Sequence, residues 1–282
     1  MIERGRNRVG GADWCVDDID YAKVDRAVMR DETELFYIIT SASFIEITSD
    51  LYTRNLIEFY HGDREIADWL ANFWEHEEVQ HGVALKRYVQ AAWPDFDWQA
   101  TYDAFFVEYA ATCTVPDLEP ARGLELAARC VVEMGTATLY GALHSYADEP
   151  VLKDLTYRIY ADEVRHYKHF YRYFRRYQAS ERHTRWRVGH TLAKRLLATC
   201  DEDGSIAYRH VWSATRRGRA LEDDARCESD YRRFRSSVTR LARHHAPRDV
   251  PVQMLIKPLD LPPPASRAAK ACAGTLYRWW LG

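Results

Sequence analysis

No stretch of the 282 residues comes near eighteen uninterrupted apolar side chains, so no ordinary membrane-spanning helix is encoded. Met1 to Arg8 is strongly charged and lacks the apolar stretch of a secretory signal, and the expectation is a cytoplasmic protein. Cys15, Cys113, Cys130, Cys200, Cys227 and Cys272 are scattered without a Cys-x-x-Cys pair. That excludes a zinc ribbon or rubredoxin-type iron site and leaves reduced, mostly buried thiols. Gly-x-Gly-x-x-Gly is also absent, so the chain carries no dinucleotide fingerprint and any electrons it uses come from a separate protein. No β-rich run, tandem repeat or nucleic-acid-binding motif stands out.

What remains is a helix-rich chain of 47% hydrophobic and 29% charged residues, long enough to bury a substantial core. Its net charge of −3 conceals an asymmetry. Residues 179–282 hold 20 Lys and Arg against 11 Asp and Glu, whereas residues 1–178 hold 19 against 31. The basic end either docks on the acidic body of its own chain or attracts an acidic partner such as an acyl carrier protein or a nucleic acid, the last without a motif to support it.

Hydrophobic spacing and turn residues predict an all-α protein. After a leader over residues 1–30, long helices are expected from Asp31 to Tyr60, Arg64 to Ala92, Ala121 to Leu143 and Val151 to Gln178. A crossing helix is expected over Trp98 to Cys113, stopped by Val115-Pro116-Asp117. Residues 31–178 thus form the body. In the extension, 179–282, Arg185 to Ala198 and Arg216 to His245 read as amphipathic helices. Pro247 to Pro251 and Leu261 to Pro264 read as irregular passages, and Leu276 to Leu281 as an apolar anchor.

Two of these helices carry the same tetrapeptide, Glu78-Val79-Gln80-His81 and Glu163-Val164-Arg165-His166. Residues three apart share a helix face, so each carboxylate and imidazole can grip an ion from one side. About 30 residues ahead of each lies an acid in apolar surroundings, Glu46 in Phe44-Ile45-Glu46-Ile47 and Glu133 in Val131-Val132-Glu133-Met134. An acid so placed is costly to bury unless it is paired or holds a metal. Glu75, His76 and Glu77 point at other angles and read as solvated or as supports for the ligands. Four carboxylates and two imidazoles balance two divalent ions, with iron or manganese favoured over zinc.

These segments resemble the Glu-x-x-His-Gly and Asp-Glu-x-Arg-His motifs of the soluble acyl-ACP desaturases, of the ferritin-like di-iron superfamily. They stand here as Glu78 to Gly82 and Asp162 to His166, within residues 31–178. The resemblance implies a ferritin-like four-helix bundle with additional helices and a basic C-terminal extension packed on it. Glu46, Glu78, His81, Glu133, Glu163 and His166 would ligate two iron ions, or a manganese and an iron. Thr136, one turn past Glu133, would assist proton delivery or oxygen positioning, unless its hydroxyl merely bonds back to a helix carbonyl. Asp162 would hydrogen-bond His81. His169 is a possible extra ligand, as in some N-oxygenases of the superfamily, and Trp14 is either core packing or part of an electron route.

The function so implied is an oxygen-dependent oxidase that desaturates or hydroxylates an acyl chain or another small organic substrate, free or bound to a carrier protein. A ferredoxin-like or flavin reductase would supply electrons, and a homodimer is implied by the resemblance alone. The alternatives are N-oxygenation of an arylamine, iron storage, and a binding protein that has kept metal ligands without turnover.

Overall fold

The computed structural model describes residues 13–112, 118–198, 203–216, 224–247 and 249–280, and side chains within the last stretch only to 271. The fold is all-α, and no strand occurs among the described residues. No described helix is long and apolar enough to cross a membrane. The turn at Val115 to Asp117, Cys113, Cys200 and Leu281 lie outside the described residues, as do the side chains of Cys272 and of the rest of the expected anchor from Leu276. Cys15, Cys130 and Cys227 are not joined in disulfides. Contacts divide the chain into two compact units. The first comprises Met1–Val115, Glu149–Leu155 and Asp203–Tyr231, and the second Pro116–Asp148, Thr156–Glu202 and Arg232–Gly282.

In the first unit, two 3₁₀ turns lead into α1 (Arg26–Met29), capped by the Asp25 carboxylate, which accepts from the backbone of Ala27 and Val28. Helix α2 (Thr33–Ile47) buries Leu35, Ile38, Ile39 and Phe44. The helix expected to run unbroken to Tyr60 stops at Thr48. The Thr48 hydroxyl lies within bonding distance of the Phe44 and Ile45 carbonyls and its N–H bonds Ile45, so the last turn tightens and the chain restarts as α3 (Ser49–Phe59). Helix α4 (Arg64–Trp69) passes through a π turn, Leu70–Trp74, into α5 (Glu75–Ala92). The expected helix is therefore continuous but carries one wide turn directly ahead of its metal motif.

Helix α6 (Trp98–Thr112) is tied to α2 where the Trp98 indole donates to the Ser43 hydroxyl at 2.9 Å. Helix α10 (Asp203–Ala214), which the spacing did not predict, packs on α2 and α6. Glu149, buried, accepts from the Tyr88 hydroxyl at 2.9 Å and from the Leu152 N–H at 2.7 Å. It thereby opens α8 (Pro150–Glu181), with proline at the first helical position.

In the second unit, α7 (Arg122–Tyr146) starts beside the Glu181 carboxylate, which accepts the Gly123 N–H at 3.1 Å and suits the positive helix end. Glu125 and Arg129 form an ion pair at 2.9 Å with almost no exposure, and Glu125 also accepts from the Glu119 backbone. Helix α9 (Arg185–Ala198) and α12 (Asp249–Ile256) both pack on α7. Helix α11 (Asp224–His245) precedes α12, and residues 217–223 of the expected Arg216 start lie outside the described residues. The two proline passages expected to be irregular instead open helices, α12 and α13 (Pro263–Trp280). Proline is tolerated in a first turn because those N–H groups have no intrahelical partner.

Candidate functional site

Glu46, Glu78 and His81 come together in the first unit, each 7% exposed or less, with ligand atoms within 4.8 Å of one another. Two ligands about 2.0–2.2 Å from one ion stand at most about 4.4 Å apart, so small side-chain adjustments would let this triad close on a metal. The close approach of α2 and α5 brings the three side chains together. A Cβ placed on Gly82 would stand 2.3 Å from the Ile47 backbone nitrogen, a contact no side chain survives. Glycine at 82 therefore lets the helix carrying Glu78 and His81 lie against the residue that follows Glu46.

The segment ahead of α1 covers this triad. The Trp14 ring is buried and lies parallel to His81 at 4°, with centroids 6.2 Å apart. The Gln80 amide donates to the Trp14 carbonyl at 3.3 Å, and Arg87 pairs with Asp17 at 2.6 Å. Nothing in the local sequence pattern announces this stack, because it joins residues more than 60 positions apart.

Glu133, Glu163 and His166 form a second triad, in the second unit, with 1–2% exposure and ligand atoms likewise within 4.8 Å. His166 Nδ1 lies 3.4 Å from a Glu133 oxygen and 3.8 Å from Glu163 Oε2. Nδ1 is thus the nitrogen turned toward the carboxylates. The Thr136 hydroxyl donates to Glu163 Oε2 at 2.7 Å and also lies 3.1 Å from the Glu133 carbonyl. The hydroxyl thus bonds back to its own helix, as one expectation had it, and also reaches a candidate ligand carboxylate by the shorter bond. Burial pushes the Glu133 carboxyl up to about 8, and the neighbouring Glu163 charge acts in the same direction against the opposing His166. Buried carboxylates crowded this way suit a bound divalent ion.

Asp162 is 2% exposed and pairs with Arg165 at 2.8 Å. His169 is half-buried and belongs to neither triad. Glu77 is buried at 3% exposure rather than solvated, while Glu75 is half-buried and His76 exposed. The burial of Glu77 was readable in principle, since it lies four residues before His81 on the same helix face.

No protein-family model matches this chain, and no curated protein does. Two solved structures do, both mutants of an R2-like ligand-binding oxidase with an aerobically reconstituted Mn/Fe cofactor. They are 15% and 16% identical, each match covering 96% of this chain and 89% of the other, with a TM-score of 0.46. Likeness at that level assigns no activity, which the chain's own residues must carry.

Proposed function

We propose that this chain is an oxygen- and reductant-dependent di-metal oxidase. Glu46, Glu78, His81, Glu133, Glu163 and His166 would ligate two ions, either two irons or manganese with iron. The observation that carries the reading is the pair of buried triads, each an acid plus Glu-x-x-His with donor atoms already near coordination spacing. Carboxylate and imidazole donors suit iron and manganese, and such a metal pair supplies reductive activation of oxygen.

The chain's own residues prepare the donors. The Thr136 hydroxyl holds Glu163 Oε2 and so restricts rotation of that carboxylate, as a hydrogen bond from beyond the ligands commonly does. The Glu133 carboxyl holds a proton at neutral pH in the metal-free protein and releases it when a cation takes its place. Burial of all six ligands restricts water. Asp162, held by Arg165, places a further carboxylate beside Glu163 in the sequence.

The substrate belongs to the proposal: an acyl chain, free or carrier-bound, that is desaturated or hydroxylated, with electrons from a ferredoxin-like or flavin reductase. The protein would act as a homodimer. Arg232, Arg233 and Arg235 on α11, the first two exposed and the third half-buried, are candidates for meeting an acidic carrier protein. Metal analysis of protein from its own host tests the centre, with two ions per chain expected. Retention of both after Glu133→Ala and Glu163→Ala together would refute the assignment. Oxygen uptake with dithionite and a panel of acyl carrier proteins, fatty acids and arylamines then tests the reaction. Turnover of arylamines alone would replace acyl oxidation with N-oxygenation.

A further inference from the structure

Helix α9 buries one face and presents an unusual one to solvent. Val188, Thr191 and Leu192 are buried, and the helix packs on α7. At 100° per residue, Trp186, His190, Ala193 and Leu197 fall within about 60° of one another on the opposite face. All four are exposed, Trp186 at 84% and Leu197 at 69%. Arg187 and Lys194 both lie along one edge of this stripe and are exposed as well. The helix contains Arg185, Arg187, Lys194 and Arg195 and no acidic residue. Lys194 pairs with Glu119 at 2.9 Å yet stays 60% exposed, and Arg185 is bonded to the carbonyls of Leu259 and Asp260. Arg182, in the turn before the helix, adds another exposed cation.

An indole and a leucine in the open, three turns apart and edged with cations, match the chemistry of a bilayer interface. Tryptophan sits at the headgroup level, leucine reaches the acyl boundary, and arginine and lysine meet lipid phosphates. An acidic protein would be drawn by the same cations but would need a pocket shaped for the indole, whereas a bilayer interface accepts Trp186 and Leu197 without one. We propose that the outer face of α9 docks the protein reversibly on an anionic membrane surface, with Trp186 and Leu197 inserting and Arg187, Lys194 and Arg182 facing the phosphates. This does not depend on the metal reading.

The test is co-sedimentation of the full chain with vesicles of phosphatidylcholine containing about 30% phosphatidylglycerol, and with vesicles of phosphatidylcholine alone. Binding to the anionic vesicles, weakened at least tenfold by raising salt from 50 to 500 mM or omitting phosphatidylglycerol, is expected. Trp186→Ala and Leu197→Ala should each weaken it about tenfold, and Arg187→Glu by a similar factor. All three residues are exposed, so circular dichroism and melting should be unchanged in the variants. On adding anionic vesicles the wild-type tryptophan emission should shift to the blue, and Trp186→Phe should lose that shift. Absence of vesicle binding, or binding equal in Trp186→Ala, would overturn the proposal. Self-association abolished by Trp186→Ala, with no vesicle binding, would assign the face to a second copy instead. Binding to polyglutamate as tight as to vesicles would assign it to an acidic protein.

Discussion

The two triads share a sequence pattern but are held in different ways. Around Glu46, Glu78 and His81 the backbone does the positioning. Gly82 lets α5 touch the chain at Ile47, and Trp14 lies along His81. Around Glu133, Glu163 and His166 a side chain does it, through the 2.7 Å bond from Thr136 to Glu163. The glycine two residues past Glu133, Gly135, is exposed, and a Cβ there would meet nothing within 4 Å. The same ligand set can thus rest on steric closeness of helices or on one hydroxyl, and the two supports should fail differently.

Gly82→Ala should do the most damage. Its methyl would collide with main chain that cannot rotate away, costing about 3 kcal/mol or more and spreading α2 from α5. Thermal melting and a metal count would register it, and a variant with unchanged melting and full metal content would remove the close-approach argument.

Next comes the acid–base contrast. The Glu133 carboxyl titrates at about 8 in the folded, metal-free chain against an ordinary 4.5, so between those values the folded state holds a proton that the unfolded state has lost. This group's contribution to stability is therefore full below about 4.5 and is lost as pH rises through about 8. Metal uptake should strengthen over the same rise, because the ion must displace that proton. Melting curves and metal titrations at pH 6 and 8.5 would show both trends, and Glu133→Gln should flatten the stability trend.

Thr136→Val should leave folding nearly intact and weaken metal binding about 10–100-fold, with Thr136→Ser restoring most of it. Equal affinity in the valine variant would reduce Thr136 to a helix residue bonded to its own backbone. Smallest of all, Gly135→Ala should raise stability by about 0.5–1 kcal/mol, since it adds helix propensity without a clash. A loss there instead would show that the second triad also depends on closeness of its surroundings.

Much of this was legible in the order of residues. Three-residue spacing places Glu78 with His81 and Glu163 with His166 on any helix, and turn residues such as His61-Gly62-Asp63 and Trp93-Pro94 bracket the helix that carries the first pair. What escaped depended on long-range partners or on local choices close in energy. A threonine can continue a helix or turn its hydroxyl back on the last carbonyls, and only packing selects the break at Thr48. The π turn at Leu70–Trp74 leaves no composition mark. Helix α10 was missed because its stability comes from contact with α2 and α6 more than from its own pattern.

The chain's order of residues settled the all-α class and the helix faces that bear the acids and imidazoles, because side-chain direction on a helix follows from sequence spacing. Folding in three dimensions decided the rest. It set Gly82 against Ile47, Trp14 along His81 and Thr136 on Glu163, and it turned Trp186 outward. Each of these depends on which distant surfaces meet, and no local spacing encodes that.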